Sequence, residues 1–414
     1  MPSIWLNWNT FNTEIKGKKV VFFGVAESWF TKTYEKSSPE LSYIVDNSPM
    51  RIGSTIWVNN DYTSVVVNDP EILLKDKGSV YVVITSGAYE SIIPQLERYG
   101  LVAGKDFCCS PALNNLRVIG DIHNHKASVL LCSSDHQIYS ELDKKANVGG
   151  GLYRYTTEDN NVVKLLDGTF HQIVDLDNYY LILDEMKGVL KVSKSFEIEH
   201  VFAFEADSRS HGLAVSLKRN EVYVGKSGVD KISVYNLQTY EFIKDIKLSD
   251  KYDRLKCEQH HMNDLVEKDG YLYVSMFSHS GNFPKGVYDG GIMEIDIESG
   301  ERTVIIHDKW MPHSVCFINN DLTFVDSMNS HLYRGDKKKL GTFSGFIRGI
   351  DFDGKYWFVG QSETRYFDRL EGIKDYISMS SGFYLFDEYS KAGKFFQTPQ
   401  VRQVRNLLVE NKHK

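Results

Sequence analysis

A short pattern of one polar residue, one small or polar residue and an apolar run recurs along the C-terminal two-thirds of the chain. The copies are His171-Gln172-Ile173, His211-Gly212-Leu213, Asn263-Asp264-Leu265, His313-Ser314-Val315 and Arg348-Gly349-Ile350. A second strand-like run follows each copy, as in Val222-Tyr223-Val224. A repeating unit of roughly 40 to 50 residues with about four short strands is typical of a β-propeller blade. The pattern therefore predicts a β-propeller over residues 127–414.

The same runs predict the number of blades. We expect six blades, to within one, with boundaries near 127–170, 171–206, 211–249, 261–308, 313–344 and 348–395. A further strand at Val401-Arg402-Gln403-Val404 is in position to close the ring.

The first ~115 residues follow a different pattern, in which apolar strands alternate with helices. The strands are 18–24, 41–47 and 79–86, and an amphipathic helix covers 88–99 and ends at Gly100. This alternation predicts a small parallel sheet with crossover helices. The expected fold class is therefore multidomain, α/β plus all-β: a Rossmann-like α/β domain at 1–115, a connector at 116–126 and the propeller.

The turn after the first strand is where a dinucleotide-binding fold carries its glycines. Here the turn reads Gly24-Val25-Ala26-Glu27-Ser28-Trp29, which keeps only the first glycine and adds a negative charge at the helix start. Asp46 lies where an acid binds a ribose hydroxyl, although it equally suits a turn with Asn47. Gly24 and Asp46 are thus candidate cofactor-binding residues, and we expect nucleotide binding to be disfavoured.

Residues 17–111 resemble the Rossmann-like accessory domain of bacterial surface-polysaccharide enzymes and some sugar-modifying transferases. The matching residues are Gly24, Val45-Asp46-Asn47-Ser48-Pro49, Gly53, Asn68-Asp69-Pro70-Glu71, Thr85-Ser86, Tyr89, Gln95-Leu96 and Gly100. The resemblance covers a quarter of the chain and implies a role in glycan assembly.

Residues 250–370 resemble a family of largely uncharacterised bacterial proteins with a six-bladed-propeller-like repeat. The matching motifs are Trp310-Met311-Pro312-His313-Ser314, Gly345-Phe346-Ile347-Arg348-Gly349-Ile350, Val359-Gly360-Gln361-Ser362-Glu363 with Arg365, and His261-Met262-Asn263-Asp264-Leu265. In the last motif the family usually has glycine where this chain has Asp264. The resemblance implies the fold and carries no established activity.

Composition narrows the class of partner. A net charge of −7 supplies no basic field for a phosphate backbone, so we expect no nucleic-acid partner. No stretch reaches the ~18 apolar residues of a membrane span, and the N-terminus lacks a signal-peptide pattern, which predicts a cytoplasmic protein. The five cysteines lack metal-type spacing and are expected to be reduced thiols.

In a propeller the starts of successive innermost strands converge on the axis. We therefore expect His171, His211, His261 and His313 to be candidate ligands of a divalent metal of unknown identity. On an extended strand His261 and Asn263 would share one face, and His260 and Asp264 the other. The alternative is that these histidines bond neighbouring backbone groups and fill the channel.

Catalytic roles are assigned to His211, His261, His313, Arg348, Asp264 and Glu363. Arg348 suits an anionic group of a substrate or, alternatively, an ion pair with Asp326 or Glu363. Asp264 and Glu363 are candidate acids or bases if burial raises their pKa. The Asp184-Glu185 pair is a weaker candidate. Trp310 and Tyr366 are in position to stack on a sugar or, alternatively, to pack between blades.

The leading hypothesis is a metal-assisted hydrolase, lyase or epimerase that acts on a carbohydrate or nucleotide-linked sugar in surface-glycan biosynthesis. The alternatives are a non-catalytic propeller that binds a glycan or protein, and a nucleotide-dependent oxidoreductase, which the missing glycines disfavour. A small-molecule or glycan substrate is expected in each enzymatic case, and the sequence leaves the oligomeric state open.

Overall fold

The structure is a computed structural model that describes residues 3–25, 27–58, 64–135, 149–364, 367–370, 376–410 and 412. The chain forms two compact units, Met1–His123 and Asn124–Lys414. None of the described helices is long and apolar enough to cross a membrane.

The first unit is built on one mixed sheet. Its strands are β1 (Val20–Phe23), β2 (Leu41–Val45), β3 (Thr55–Trp57), β4 (Ser64–Asn68), β5 (Tyr81–Ile84) and β6 (Phe107–Cys109). They lie in the order β3-β4-β2-β1-β5-β6. All neighbours are parallel except β3 and β4, which form an antiparallel pair. The sheet is therefore small and mixed rather than wholly parallel as predicted, because a short hairpin occupies one edge.

Helices cover both faces of this sheet. They are α1 (Trp8–Ile15), α2 (Glu27–Ser37), α3 (Tyr89–Arg98) and α4 (Asn114–His123). In α3 the buried residues Tyr89, Ile92 and Leu96 recur at helical spacing and form one apolar face. Alternate residues of β1 enter different cores, Phe22 in one and Val21 with Phe23 in the other, so the sheet is buried on both sides.

The second unit is a β-propeller: within the described residues it contains six four-stranded antiparallel sheets. Blades 2 to 4 are β10 (Phe170–Asp175), β11 (Tyr179–Asp184), β12 (Gly188–Ser193), β13 (Ile198–Phe202); β14 (Ser210–Ser216), β15 (Glu221–Lys226), β16 (Lys231–Asn236), β17 (Phe242–Lys247); and β18 (Met262–Lys268), β19 (Tyr271–Met276), β20 (Gly290–Asp296), β21 (Arg302–Lys309). Blades 5 and 6 are β22 (Pro312–Ile318), β23 (Asp321–Asp326), β24 (His331–Arg334), β25 (Lys338–Thr342); and β26 (Phe346–Phe352), β27 (Trp357–Ser362), β28 (Gly382–Phe386), β29 (Gly393–Gln397). A short helix, α5 (Lys251–Leu255), precedes blade 4. The predicted six-bladed arrangement is confirmed.

Blade 1 joins the two ends of the unit. Its outer three strands are β7 (Ser128–Ser133), β8 (Gly151–Thr156) and β9 (Asn161–Asp167), and its innermost strand is the C-terminal β30 (Val404–Val409). The pairing of Val409 with Val129 and of Leu407 with Leu131 closes the ring. Because strands from both ends of the unit form one sheet, blade 1 has four strands like the other blades and the ring is closed.

Every innermost strand is irregular at its start. The pairing with the second strand shifts around His171, His211, Asn263, Ser314, Arg348 and Arg405. Such bulges insert extra residues into one strand and redirect a side chain. The recurring sequence pattern therefore marks a repeated bulge at the propeller axis.

Candidate functional site

The bulges bring polar side chains from different blades to one narrow cavity. Its lining residues are His171, His211, Asn263, Asp264, His313, Arg348 and Arg405. The cavity has a volume of only about 10 Å³ for the centres of water-sized groups. That is close to the minimum that holds one water molecule, so only a single oxygen-sized group or an ion fits at the axis.

Side chains that follow the axial positions bond the inner strands to one another. Asp264 Oδ2 accepts the Ser314 N–H at 2.6 Å, and Ser314 Oγ accepts the Gly349 N–H at 2.7 Å. Earlier in the ring, Gln172 Oε1 accepts the Leu213 N–H at 2.9 Å. All three side chains are buried, so these bonds satisfy backbone donors that water does not reach. They fix the spacing of the axial residues.

Two glycines permit this close approach. A Cβ at position 212 would lie 2.3 Å from the Asn263 carbonyl oxygen. Gly349 has φ +71°, and a Cβ there would lie 2.9 Å from the Asn406 carbonyl carbon. The glycines of the repeated motif are thus required by the backbone of the neighbouring blade.

His313 presents one defined nitrogen to the cavity. Its Nδ1 lies 2.9 Å from the Met311 carbonyl oxygen and 2.8 Å from Ser327 Oγ, so Nδ1 carries the proton and donates. Nε2 is buried and has no hydrogen-bond partner among the described residues. Burial, followed by the positive charges of Arg348 and Arg405, holds the pKa of His313 well below its usual value. His313 is therefore a neutral imidazole with a free lone pair on Nε2.

His211 and His171 lie side by side. Their rings stack with centroids 4.4 Å apart and an interplanar angle of 15°. Burial, then the neighbouring His171 and His261, lowers the pKa of His211 well below its usual value. His171 Nε2 lies 3.0 Å from Glu185 Oε2, and Glu185 is the residue directly after β11. Glu185, which the sequence suggested only as a weaker candidate, thus lies beside the axial histidines.

His261 does not line the cavity, although the sequence predicts that it does. Its backbone is left-handed, with φ +49°, and the strand begins only at Met262. The ring instead lies 2.9 Å from Glu258 Oε1 through Nδ1 and stacks on Phe277. The prediction from an extended strand is wrong because the bulge places Asn263 and Asp264, successive residues, at the cavity together.

Glu258 is the acidic partner of His261. Burial alone would raise the pKa of Glu258, but the bond from His261, the Ser227 hydroxyl and the charge of Arg209 together lower it. Burial lowers the pKa of His261, and the contact with Glu258 opposes that shift. The two side chains form a largely buried close contact beside the axial cavity.

Asp264 is buried at the cavity wall. Burial raises the pKa of Asp264 from 3.8 to about 6, while the Ser314 N–H and the charges of Arg348 and Arg405 oppose the shift. Glu363, the other candidate acid, is partly exposed and lies 3.8 Å from Arg402 Nε. Glu363 is not among the described residues that line the cavity.

Two arginines reach the axis. Arg348 is 1% exposed and its guanidinium lies 4.7 Å above the Phe346 ring. Arg405 comes from β30 and donates from Nε to Ser134 Oγ. The acids considered as ion-pair partners of Arg348 have other contacts: Asp326 accepts bonds from Trp310 and Asn329, and Glu363 lies beside Arg402.

Arg405 lines the cavity although it is not among the site residues predicted from the sequence. It lies 57 residues after Arg348 and starts the sixth copy of the pattern, Arg405-Asn406-Leu407. The position was recoverable, because a ring of six blades closed by the C-terminus requires one more innermost strand there.

An apolar cluster contacts the axial histidines. Phe277, Met311, Met328 and Phe346 form its buried part, against which Phe283, Tyr288, Trp310 and Leu370 pack. The His313 ring meets Phe277 and Phe346 edge to face, with centroids 5.2 and 5.7 Å apart. Trp310 is therefore close to the axial site, whereas Arg365 and Tyr366 lie outside the described residues.

The cofactor candidates of the first unit have structural contacts. Asp46 Oδ2 accepts the Val25 N–H at 3.2 Å, and Oδ1 accepts the Ser48 N–H at 2.8 Å. Arg51 lies 3.5 Å from the same carboxylate. Gly24 has φ +105°, and a Cβ there would lie 2.5 Å from Ser86 Cβ. Both residues thus hold the ends of β1 and β2 together.

No protein-family model and no curated protein matches this chain. A nidogen/laminin complex aligns with a TM-score of 0.49 and 10% identity over 70% of this chain and 100% of that one. A protein of unknown function from Bacteroides caccae aligns with a TM-score of 0.48 and 11% identity over 68% and 98%. A luciferin-regenerating enzyme aligns with a TM-score of 0.38 and 10% identity over 53% and 72%.

Proposed function

We propose that the propeller is an enzyme that acts on an anionic carbohydrate, such as a uronic acid or a nucleotide-linked sugar, at the axial cavity. One observation carries this proposal: Arg348, Arg405 and the neutral imidazole of His313 line the same narrow space. Two permanent positive charges share this site with one carboxyl group, that of Asp264, so the net charge still favours an anion.

Substrate binding begins with the anionic group. A guanidinium donates paired N–H groups that match the oxygens of a carboxylate or phosphate. The cavity admits only one oxygen atom of such a group, so the rest of the substrate, including the sugar ring, stays at its mouth. The apolar cluster around Trp310 offers the ring an aromatic surface of the kind that sugars pack on.

The chemistry follows from His313. Its Nε2 lone pair is available at neutral pH and can accept a proton from the carbon next to the bound carboxylate. Arg348 then stabilises the negative charge that develops on the carboxylate oxygens. Removal of this proton is the first step of a lyase or an epimerase, and we prefer these two classes to a hydrolase.

The wider biological role is also a proposal. The first unit has five parallel strands with helices on both faces, which supports a Rossmann-like accessory domain. Its resemblance to polysaccharide-enzyme domains supports a place in surface-glycan biosynthesis, in the cytoplasm of a bacterium. The contacts of Asp46 leave the nucleotide-dependent oxidoreductase without support.

A non-catalytic binding propeller is the second candidate. The small cavity favours it, because polar side chains that only close the channel would leave little space. Both candidates bind an anionic glycan, but only the enzyme exchanges a proton.

Solvent exchange separates the two candidates. Wild-type protein is incubated in D₂O with uronate-containing oligosaccharides and nucleotide-linked uronates, and deuterium incorporation or new product is followed by mass spectrometry. We expect incorporation with wild type and a loss of more than about 100-fold in His313→Asn, in line with removal of a general base. Arg402→Gln is the matched control and should retain the wild-type rate. Binding without exchange or turnover would favour the scaffold, and absence of binding would refute both candidates.

A further inference from the structure

We infer that His171, Glu185 and His211 form a divalent-metal site at the edge of the axial cavity. The positions of the three ligands support the metal site independently of the proposed function. The role of the metal in binding an anionic substrate rests on that function. It replaces the set of four histidines that the sequence predicts with two histidines and a carboxylate.

The three side chains converge from two blades. One potential ligand atom of each lies within 4.8 Å of those of the other two. The pairing of Phe170 with Asp184 brings the start of β10 beside the end of β11, where His171 Nε2 and Glu185 Oε2 lie 3.0 Å apart. The Glu185 N–H also bonds the Thr169 carbonyl oxygen at 2.9 Å, which fixes the start of the loop. The ligand positions are therefore set by sheet hydrogen bonds.

One ligand distance already suits a first-row metal, and the others would have to close from at most 4.8 Å. Zinc bonds of about 2.0–2.2 Å place two ligand atoms of a tetrahedral site roughly 3.3 Å apart. His171 Nε2 and Glu185 Oε2 are 3.0 Å apart, and the stacked ring of His211 brings a third donor alongside. Two imidazoles and one carboxylate leave at least one coordination position for water or substrate.

A buried nitrogen of His211 is also available to a metal. His211 Nδ1 is buried and has no hydrogen-bond partner among the residues that the structure describes. Metal binding in this cluster would offset the free-energy cost of such burial.

The other two predicted histidine ligands are placed differently. His313 lies where Arg348 and Arg405 lower its pKa, and the same charges oppose a cation there. His261 has Glu258 as its partner. Near His211 the carboxylate of Glu185 offsets the charge of Arg405, which lines the same cavity. A metal held by His171, Glu185 and His211 would supply a further positive charge for an anionic substrate group.

The test measures metal content and affinity. The full chain is stripped with EDTA, dialysed against Zn²⁺ or Mn²⁺ and then against metal-free buffer, and analysed by inductively coupled plasma mass spectrometry. Calorimetric titration with Zn²⁺ gives the affinity. We expect about one equivalent in wild type, and an affinity at least 10-fold lower in His211→Ala and Glu185→Gln.

Two histidine variants serve as controls. His313→Ala alters another axial histidine and His200→Ala an exposed one on β13, and both should keep the metal. Thermal unfolding gives a second readout, because Zn²⁺ should raise the melting temperature of wild type but not of Glu185→Gln. A wild-type protein without near-stoichiometric metal would overturn the inference. So would equal loss in His313→Ala and His211→Ala.

Failure of the metal site is distinguishable from failure of the proposed function. Binding of methyl glucuronide is measured with EDTA-stripped protein. Retained binding together with absence of metal would refute the metal site alone. Loss of glucuronide binding with and without Zn²⁺, while Zn²⁺ still binds, would refute the proposed function alone.

Discussion

Replacement of Asp264 by asparagine should change how the stability of the propeller depends on pH. Asp264 Oδ2 accepts the Ser314 N–H, and an asparagine oxygen can accept the same bond. Burial raises the pKa of Asp264 in the folded protein from 3.8 to about 6. Folding therefore opposes ionisation of this carboxyl, and wild type should lose stability from this group as pH rises from about 4 to about 6.

The magnitude follows from the pKa difference. A difference of about two pKa units, at about 1.4 kcal/mol per unit, corresponds to about 3 kcal/mol. At about pH 3 and below the carboxyl is protonated in both states and this cost is absent. The free energy of unfolding of Asp264→Asn, relative to wild type, should therefore rise by about 3 kcal/mol between about pH 3 and pH 7.

Urea unfolding followed by tryptophan fluorescence at several pH values measures this difference. Asp177→Asn is a matched control, because Asp177 is exposed on a turn with φ 55°, which asparagine also adopts readily. Its curve should run parallel to that of wild type. A parallel curve for Asp264→Asn as well would refute the argument that burial opposes ionisation of Asp264.

Two further predictions test the hydrogen bonds and glycines that hold the innermost strands together around the axial cavity. Ser314→Ala removes the acceptor of the buried Gly349 N–H and should lower the free energy of unfolding by about 1–3 kcal/mol. Urea unfolding measures this change, and an unchanged midpoint would contradict the stabilising role of this hydrogen bond. Gly212→Ala places a Cβ 2.3 Å from the Asn263 carbonyl oxygen and 2.7 Å from Leu265 Cγ. This clash should destabilise the propeller by about 1–3 kcal/mol, measured by thermal unfolding. A wild-type melting temperature would show that blades 3 and 4 can move apart without loss of stability.

The propeller could be predicted from the sequence because each innermost strand begins with the same pattern. The axial positions of His171, His211 and His313 follow from that repeat, since equivalent strands meet at the axis. Arg405 could not be found by the same spacing, because its strand belongs to blade 1 and is separated from it along the chain.

The local geometry of the site was less predictable. Alternation along an extended strand assigns His261 to the axis, but a bulge with a left-handed residue breaks that alternation. Glu185 follows β11, so its approach to His171 depends on strand register, which sequence spacing alone does not give. In the first unit, β3 and β4 are short and partly exposed. Their pattern of apolar and polar residues was therefore too weak to predict the antiparallel hairpin.

The most direct test of the central claim is calorimetric binding of methyl glucuronide and methyl glucoside, which differ only in carboxylate against hydroxymethyl. We predict that wild type binds the glucuronide at least 10-fold more tightly, and that Arg405→Gln loses this preference while Arg402→Gln keeps it. Equal affinity for the two sugars, or an Arg405→Gln variant that keeps the preference, would contradict an anion-binding site at the propeller axis.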